Sequence, residues 1–214
     1  MTQPIRQDFL PSGPCPATLM IVGEAPGERE LAARTPFVGP SGFELDKLLA
    51  EAGMARSLAF VTNVCRVRPE KNDIGNFLDE RKRCPDPAWT KFHDRWAHPF
   101  IHQGAQLLEE ELARVQPVVV IALGNLALAT LTGKWGVSKW RGSVLQVERP
   151  WGKFKVIPTY HPAAVLRQWE LRPTVAHDMK RVAVELQRGR EVVRPNYRFI
   201  IRPNFETASQ TLSN

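Results

Sequence analysis

Cysteine is scarce in this sequence: Cys15, Cys65 and Cys84 are the three among 214 residues. That is too few for a disulfide framework and fits a reducing compartment. Long hydrophobic runs are missing too. No apolar stretch approaches the roughly 18 residues a membrane helix needs, so no membrane contact is expected. The first residues, Met1 to Asp8, are mostly polar, and prolines follow before any long apolar stretch. No secretory leader is read there, and a cytoplasmic location is expected. The length excludes two full domains of ordinary size and allows one sizeable core, expected to work as a monomer.

What is present is 43% hydrophobic and 24% charged residues, the balance of a soluble globular protein. The formal net charge is +7 and the pI about 9.7. An excess of this sign suggests an acidic partner, nucleic acid being the commonest, with a basic but indifferent surface as the alternative.

The stretch Leu19-Met20-Ile21-Val22-Gly23-Glu24-Ala25-Pro26-Gly27 organises the chain. Its branched apolar run reads as a buried strand, and the Gly/Pro turn that ends it continues neither strand nor helix. Gly23 and Gly27 open the backbone, Pro26 stiffens it, and Glu24 is left with a carboxylate at the lip of the sheet. An ordinary strand-to-helix loop is the plainer reading of this segment alone.

Residues 1–17, rich in proline, read as an extended lead-in. A second loop, Thr35-Pro36-Phe37-Val38-Gly39-Pro40-Ser41-Gly42, precedes a helix over about 42–52, where Ser41 and Glu44 form a capping box. A second strand covers 59–64. Residues 66–102 are polar and irregular, with Trp89, Phe92, Trp96 and Phe100 among many charges, and read as an insertion packed on the body through its aromatics. A helix over about 103–115 has Glu109 to Glu111 mostly outward. The uniformly apolar strand 118–123 must be covered on both faces, and a short helix runs from it to Thr132. Segments 143–147 and 154–158 form a hairpin, and Val175, Met179, Val182 and Leu186 mark a last helix. The alternation argues for an α/β fold, a three-layer α/β/α sandwich with a central, mostly parallel sheet. One domain over 1–190 is expected, with 191–214 a tail, an edge strand or a linker.

Ligands of such sheets bind at the carboxyl ends of the strands. Those ends carry Glu24, then Thr62-Asn63, then Gly124-Asn125, and then His161-Pro162. Polar residues at four separate strand ends point to a site.

Taken together, Gly23-Glu24-Ala25-Pro26-Gly27 with Glu30, Pro36-Phe37-Val38-Gly39 with Gly42, Thr62-Asn63-Val64 with Arg68-Pro69, Ala122-Leu123-Gly124, Arg141-Gly142 and Pro158-Thr159-Tyr160-His161-Pro162-Ala163 resemble the uracil-DNA glycosylase superfamily. The likeness is closest to its family 4 and runs in order from about Met20 to Val182. The insertion, Asn125 and the basic aromatic run from Lys134 to Gly142 resemble a phage-type branch related to phage DNA polymerases.

The resemblance implies hydrolysis of the N-glycosidic bond of deoxyuridine in DNA by base flipping, leaving an abasic site for base excision repair. Catalysis would fall to Glu24, His161 and Asn63. The base would be held by Gly23, Ala25, Phe37, Asn63 and His161. DNA would be met by Ser41, Ala163, Val165, Leu166 and Arg167, with Val165 or Leu166 as the apolar wedge. Glu30 is the second candidate for positioning the water, and Ala25 stands where other branches carry an Asp. Partners would be uracil-containing DNA and DNA polymerase or other replication machinery of a prokaryotic or phage-infected cell. A non-catalytic uracil-DNA-binding module attached to a phage polymerase is the alternative, and a nucleotide-binding α/β domain unrelated to DNA a further one.

The sequence also departs from the family. Family 4 holds an iron–sulfur cluster on four cysteines, including a Cys-x-x-Cys pair. Here there are three cysteines and no such pair, and Val67 occupies one ligand position with Cys65 two residues earlier. No cluster is expected, and Cys84, His93, His98 and His102 match no standard zinc spacing. Leu31 and Arg34 replace the family's usual Asp and Gly, and no basic insertion with a reactive His, the mark of a DNA-crosslinking branch, follows Asn63.

Overall fold

The computed structural model describes residues 8–81 and 83–192. Residues 1–7 of the expected lead-in, and 193–214 of the expected tail, edge strand or linker, lie outside the described residues.

Chain order gives β1 (Leu19–Gly23), α1 (Glu28–Ala33), α2 (Pro40–Glu51), β2 (Ala59–Asn63), β3 (Leu78–Asp79), β4 (Thr90–Phe92) and β5 (Arg95–Ala97). Then follow α3 (Pro99–Val115), β6 (Val119–Leu123), α4 (Asn125–Thr132), α5 (Val137–Trp140), β7 (Leu145–Arg149), β8 (Gly152–Thr159), α6 (Pro162–Arg167) and α7 (Arg172–Gln187). The main sheet has strand order β2-β1-β6-β8-β7, parallel except for β7, which returns antiparallel along β8.

Alternation along each central strand divides its side chains between two helical layers. Met20, Val22, Val120 and Ala122 pack with Leu108, Leu112 and Val115 of α3 and Leu126 and Leu128 of α4. Leu19, Ile21, Val119 and Ile121 face the other way, against Leu45, Leu48 and Leu49 of α2, Val165 of α6 and Val175, Met179 and Val182 of α7. Both faces are thus covered, which is why the strands read as unbroken apolar runs. The architecture is the three-layer α/β/α arrangement.

Register brings the strand ends level. Gly23 pairs with Asn63, and Leu123 with Thr159. The residues that follow all four parallel strands therefore emerge at one rim.

Several local expectations are corrected. The segment after Gly27, for which the sequence predicts no element, is a helix, α1, capped at its start by the Glu30 carboxylate accepting the Gly27 N–H. The Ser41/Glu44 capping box does not form. Gly39 and Pro40 start α2 instead, because proline needs no donor partner in a first turn, and Glu44 reaches across to Arg172 of α7 at 2.8 Å. Helix α3 begins at Pro99, inside the stretch read as irregular. His98 caps it, its Nδ1 accepting the Phe100 N–H at 3.1 Å. That stretch also carries a small antiparallel sheet, β3-β5-β4, and Phe77 just before β3 and Phe92 of β4 pack on the core. The guanidinium of Arg95 lies 4.0 Å from the centroid of Trp135, tying β5 to the loop after α4.

Glu111, read as outward, is buried instead. It pairs at 2.7 Å with Arg66, whose Nη1 donates to Thr62 Oγ1 at 2.5 Å and whose guanidinium lies against Phe9. A buried charge survives only with such partners.

Candidate active site

The rim of the sheet opens into a cavity of about 610 Å³. Glu24, Ala25, Glu30, Phe37, Ser41, Asn63, His161, Ala163 and Arg167 line it, so side chains from distant segments meet at one place.

Gly23 makes the meeting sterically possible. A β-carbon there would lie 2.6 Å from the Phe37 ring, so the end of β1 has to be bare backbone. Phe37 itself adopts a left-handed φ of 57°, unusual for an aromatic residue. Two side chains hold it there. Glu30 accepts the Phe37 N–H at 2.8 Å, and Arg56 donates to the carbonyls of Pro36 and Phe37 at 2.6 and 2.8 Å. The ring is buried and stacks on His161 with centroids 5.7 Å apart and planes 28° from parallel.

Asn63 ends β2 with its side chain inside the protein. Its Oδ1 and Nδ2 are both buried and have no hydrogen-bond partner. An amide left so costs about 1–3 kcal/mol per group, and a ligand with one donor and one acceptor on neighbouring atoms would satisfy both.

His161 caps α6, its Nδ1 accepting the Ala163 N–H at 3.2 Å. The acceptor role leaves the hydrogen on Nε2. Burial of the ring, with the positive charge of Arg167 nearby, pulls its pKa down to about 4, so the imidazole is neutral at physiological pH.

Glu24 follows β1 and turns toward the start of α4, where its Oε1 accepts the Leu126 N–H at 3.2 Å. Burial raises its pKa above the ordinary carboxylate value, while the amides of Leu126 and Asn125 and the charge of Arg167 oppose that rise. Space for the carboxylate comes from Gly124, with φ of 92°, whose β-carbon would lie 2.5 Å from Oε1. Glu30 is engaged differently: one oxygen accepts the Gly27 N–H and the other the Phe37 N–H. A smaller cavity of about 380 Å³ adjoins across Glu24, His161 and Arg167.

The residues expected to meet DNA divide. Ser41, Ala163 and Arg167 line the cavity. Leu166 is 46% exposed. Val165 is a correction: it is fully buried in the core between α2, α6 and α7 and has no face to offer DNA. Arg141, in the run compared with a phage branch, is bound to Asp178. Sequence reasoning also missed the far wall, supplied by Lys71, Asn72, Asp73 and Ile74 of the insertion. Their polar, aperiodic sequence carries no signal beyond the neighbouring Arg68-Pro69.

The cysteines do not converge. Cys65 is buried against the Val67 carbonyl, with its thiol pKa pushed up to about 11 by burial, whereas Cys15 and Cys84 are exposed. Among the described residues no group of three or more His, Cys, Asp and Glu side chains is placed to hold a metal ion. This donor set does not fit an iron–sulfur cluster, which needs deprotonated thiolates around it.

The sequence profile described as "Uracil DNA glycosylase superfamily" matches residues 10–185, and the chain belongs to that superfamily. The type-4 uracil-DNA glycosylase of Archaeoglobus fulgidus is 33% identical over 172 residues, covering 78% of this chain and 75% of the relative. The type-4 uracil-DNA glycosylase of Thermotoga maritima is 33% identical over 170 residues, covering 76% and 74%. More distantly, a DNA polymerase of Bacillus phage SP01 is 26% identical over 172 residues, 80% of this chain and 16% of the polymerase.

Proposed function

We propose that the chain is a uracil-DNA glycosylase that hydrolyses the N-glycosidic bond of deoxyuridine in DNA, releases uracil and leaves an abasic site for base excision repair. The observation that carries this reading is the buried, unpartnered amide of Asn63 facing the same cavity as Phe37 and His161.

A base inside a duplex is out of reach, so the deoxyuridine must swing out of the stack. Phe37 offers the flipped ring a face, where stacking is worth about 1–3 kcal/mol per base. The Asn63 amide donates to uracil O4 and accepts from N3–H, and cytosine, with both groups reversed, is refused. As the bond from C1′ to N1 lengthens, negative charge gathers on the base and His161 Nε2–H donates to O2, stabilising the leaving group. Glu24 holds the attacking water and offsets the positive charge on the sugar. It is preferred over Glu30, whose oxygens already accept two loop amides. Leu166 fills the gap in the stack, while Ser41 and Arg167 meet phosphates.

The enzyme works without an iron–sulfur cluster in this reading, since three dispersed cysteines replace the four thiolates a cluster needs. The Arg66–Glu111–Thr62 network braces the turn after β2. The chain acts as one glycosylase domain with an insertion at 66–102, as a monomer, and the phage polymerase match supports work beside replication machinery.

Release of free uracil from labelled single- and double-stranded oligonucleotides tests the proposal. Tight binding of uracil-DNA with no release would instead favour the non-catalytic module.

A further inference from the structure

The segment that carries His161 is tied to the end of β6, against which Glu24 rests, at a residue outside the cavity, Thr159, the buried last residue of β8. Its carbonyl accepts the Gly124 N–H at 3.0 Å, and Gly124 is the residue that leaves room for the Glu24 carboxylate. Two positions further along the same chain stands His161. The direction in which the backbone leaves β8 therefore sets both side chains.

That direction is held from below. The Thr159 hydroxyl donates to Asp178 Oδ2 at 2.7 Å, and Asp178, on α7, is fully buried. Arg141 donates to the same carboxylate through Nε at 2.9 Å and through Nη2, and to the Thr174 carbonyl at 3.3 Å. The next residue, Gly142, donates its N–H to the Pro158 carbonyl at 2.9 Å. It has φ of 70°, and a β-carbon there would lie 2.6 Å from Asp178 Oδ1. The last two residues of β8 are thus gripped by one buried carboxylate and one tight turn. An apolar cluster of equal volume would pack as well or better. A carboxylate adds direction, because it fixes the rotation of the threonine that it binds.

We propose that Asp178, acting through Thr159 and braced by Arg141, is a positioning residue for glycosidic hydrolysis, holding His161 and Glu24 toward one cavity together. The inference rests on the glycosylase reading of that cavity. Recognition of the base is built on the other half of the sheet, by Phe37 and by Asn63 of β2. His161 and α6, with Leu166 and Arg167, both follow β8, so loosening its end is expected to lower kcat by more than it raises KM.

The test compares Thr159→Val with Thr159→Ser in uracil release from an oligonucleotide, together with the 15N shifts of the His161 ring. Valine removes the hydroxyl and leaves the Asp178–Arg141 pair intact, and serine restores the donor. Thr159→Val is expected to lower kcat by about 10- to 100-fold, the cost of misplacing a catalytic group by a fraction of an ångström to an ångström. KM should rise by a smaller factor than kcat falls, since Phe37 and Asn63 keep their own anchors. The His161 shifts move in Thr159→Val, and Thr159→Ser recovers both readouts. Asp178→Ala removes both the Thr159 and the Arg141 contacts and should lower kcat at least as far, and adding Thr159→Val to it should add little, because the Thr159 contact is already gone. Parental kcat and unmoved His161 shifts in Thr159→Val overturn the proposal, as does a rate loss that only follows the unfolded fraction. If the parent itself releases no uracil, the glycosylase reading fails, and the His161 shifts still decide the positioning.

Discussion

A β-carbon on Gly23 would lie 2.1 Å from Asn63 Oδ1, so the strand end and the amide beside it share a space that only one of them can fill. Gly23→Ala is therefore expected to push the Asn63 amide and the Phe37 ring aside while β1 still forms, since alanine fits a buried strand. Uracil release should fall by about 100-fold, the effect of misplacing a binding group by about 1 Å. Steady-state kinetics beside a thermal unfolding curve check this: the rate falls far more than the folded fraction.

The two titrating groups at the rim are shifted in opposite directions. His161, at about 4, is neutral through the whole working range. Glu24, raised above the ordinary carboxylate value by burial, sets the acidic limb of the rate profile. Rate is expected to rise with pH as Glu24 ionises, and Glu24→Gln should flatten that limb at a lower rate. For stability the signs also differ. The unfolded chain binds more protons at His161 between its ordinary 6.5 and about 4, so that contribution is complete above 6.5 and lost as pH falls toward 4. Glu24 contributes most when protonated and loses this as pH rises through its folded pKa. NMR titration of the His161 ring and a pH–rate profile read the two groups separately.

Leu166 and Val165 are neighbours with different duties. Val165→Ala should cost stability, about 1–3 kcal/mol for lost burial and the cavity it leaves, with the rate per folded molecule unchanged. Leu166→Ala should leave stability within about 0.5 kcal/mol and weaken activity on duplex DNA more than on single strands, where no stack needs filling. Denaturant unfolding and paired assays on the two substrates distinguish them.

Removing Glu111 leaves the Arg66 guanidinium buried beside Thr62 without its carboxylate partner. Glu111→Ala is expected to destabilise the protein by about 3–5 kcal/mol, the cost of an uncompensated buried charge. Iron content and activity in chelator bear on the same region: the purified enzyme should hold no stoichiometric iron and lose no activity. Metal analysis and chelator-treated assays check this.

The sheet was legible because burial on both faces leaves unbroken apolar runs, as in Leu19 to Val22 and Val119 to Leu123. Glu24, Asn63 and His161 stood out because each is a polar side chain at or just past the carboxyl end of an apolar strand, where a core residue would otherwise be expected. What could not be read were partnerships across long separations. Glu44 looked like a helix cap until α7 brought Arg172 to it from 128 residues away. Glu111 belonged to an acidic run until Arg66 met it from 45 residues back. Arg56, which holds the Phe37 loop through two carbonyls, lies in no motif. Val165 and Leu166 are adjacent and equally apolar, and only the packing of α6 decides which one faces the core. The wall from Lys71 to Ile74 has no periodicity, and two of its residues, Lys71 and Asn72, take left-handed φ values of 53° and 59°.

The most direct measurement is uracil release from a labelled oligonucleotide by the parent, Asn63→Ala and His161→Ala. The parent should release uracil and leave an alkali-labile abasic site. Asn63→Ala and His161→Ala should each be slower by about 100- to 1,000-fold, as for loss of one donor to a developing anion or of the group that holds the base. Parental rates in both variants, or no release by the folded parent, would contradict the account.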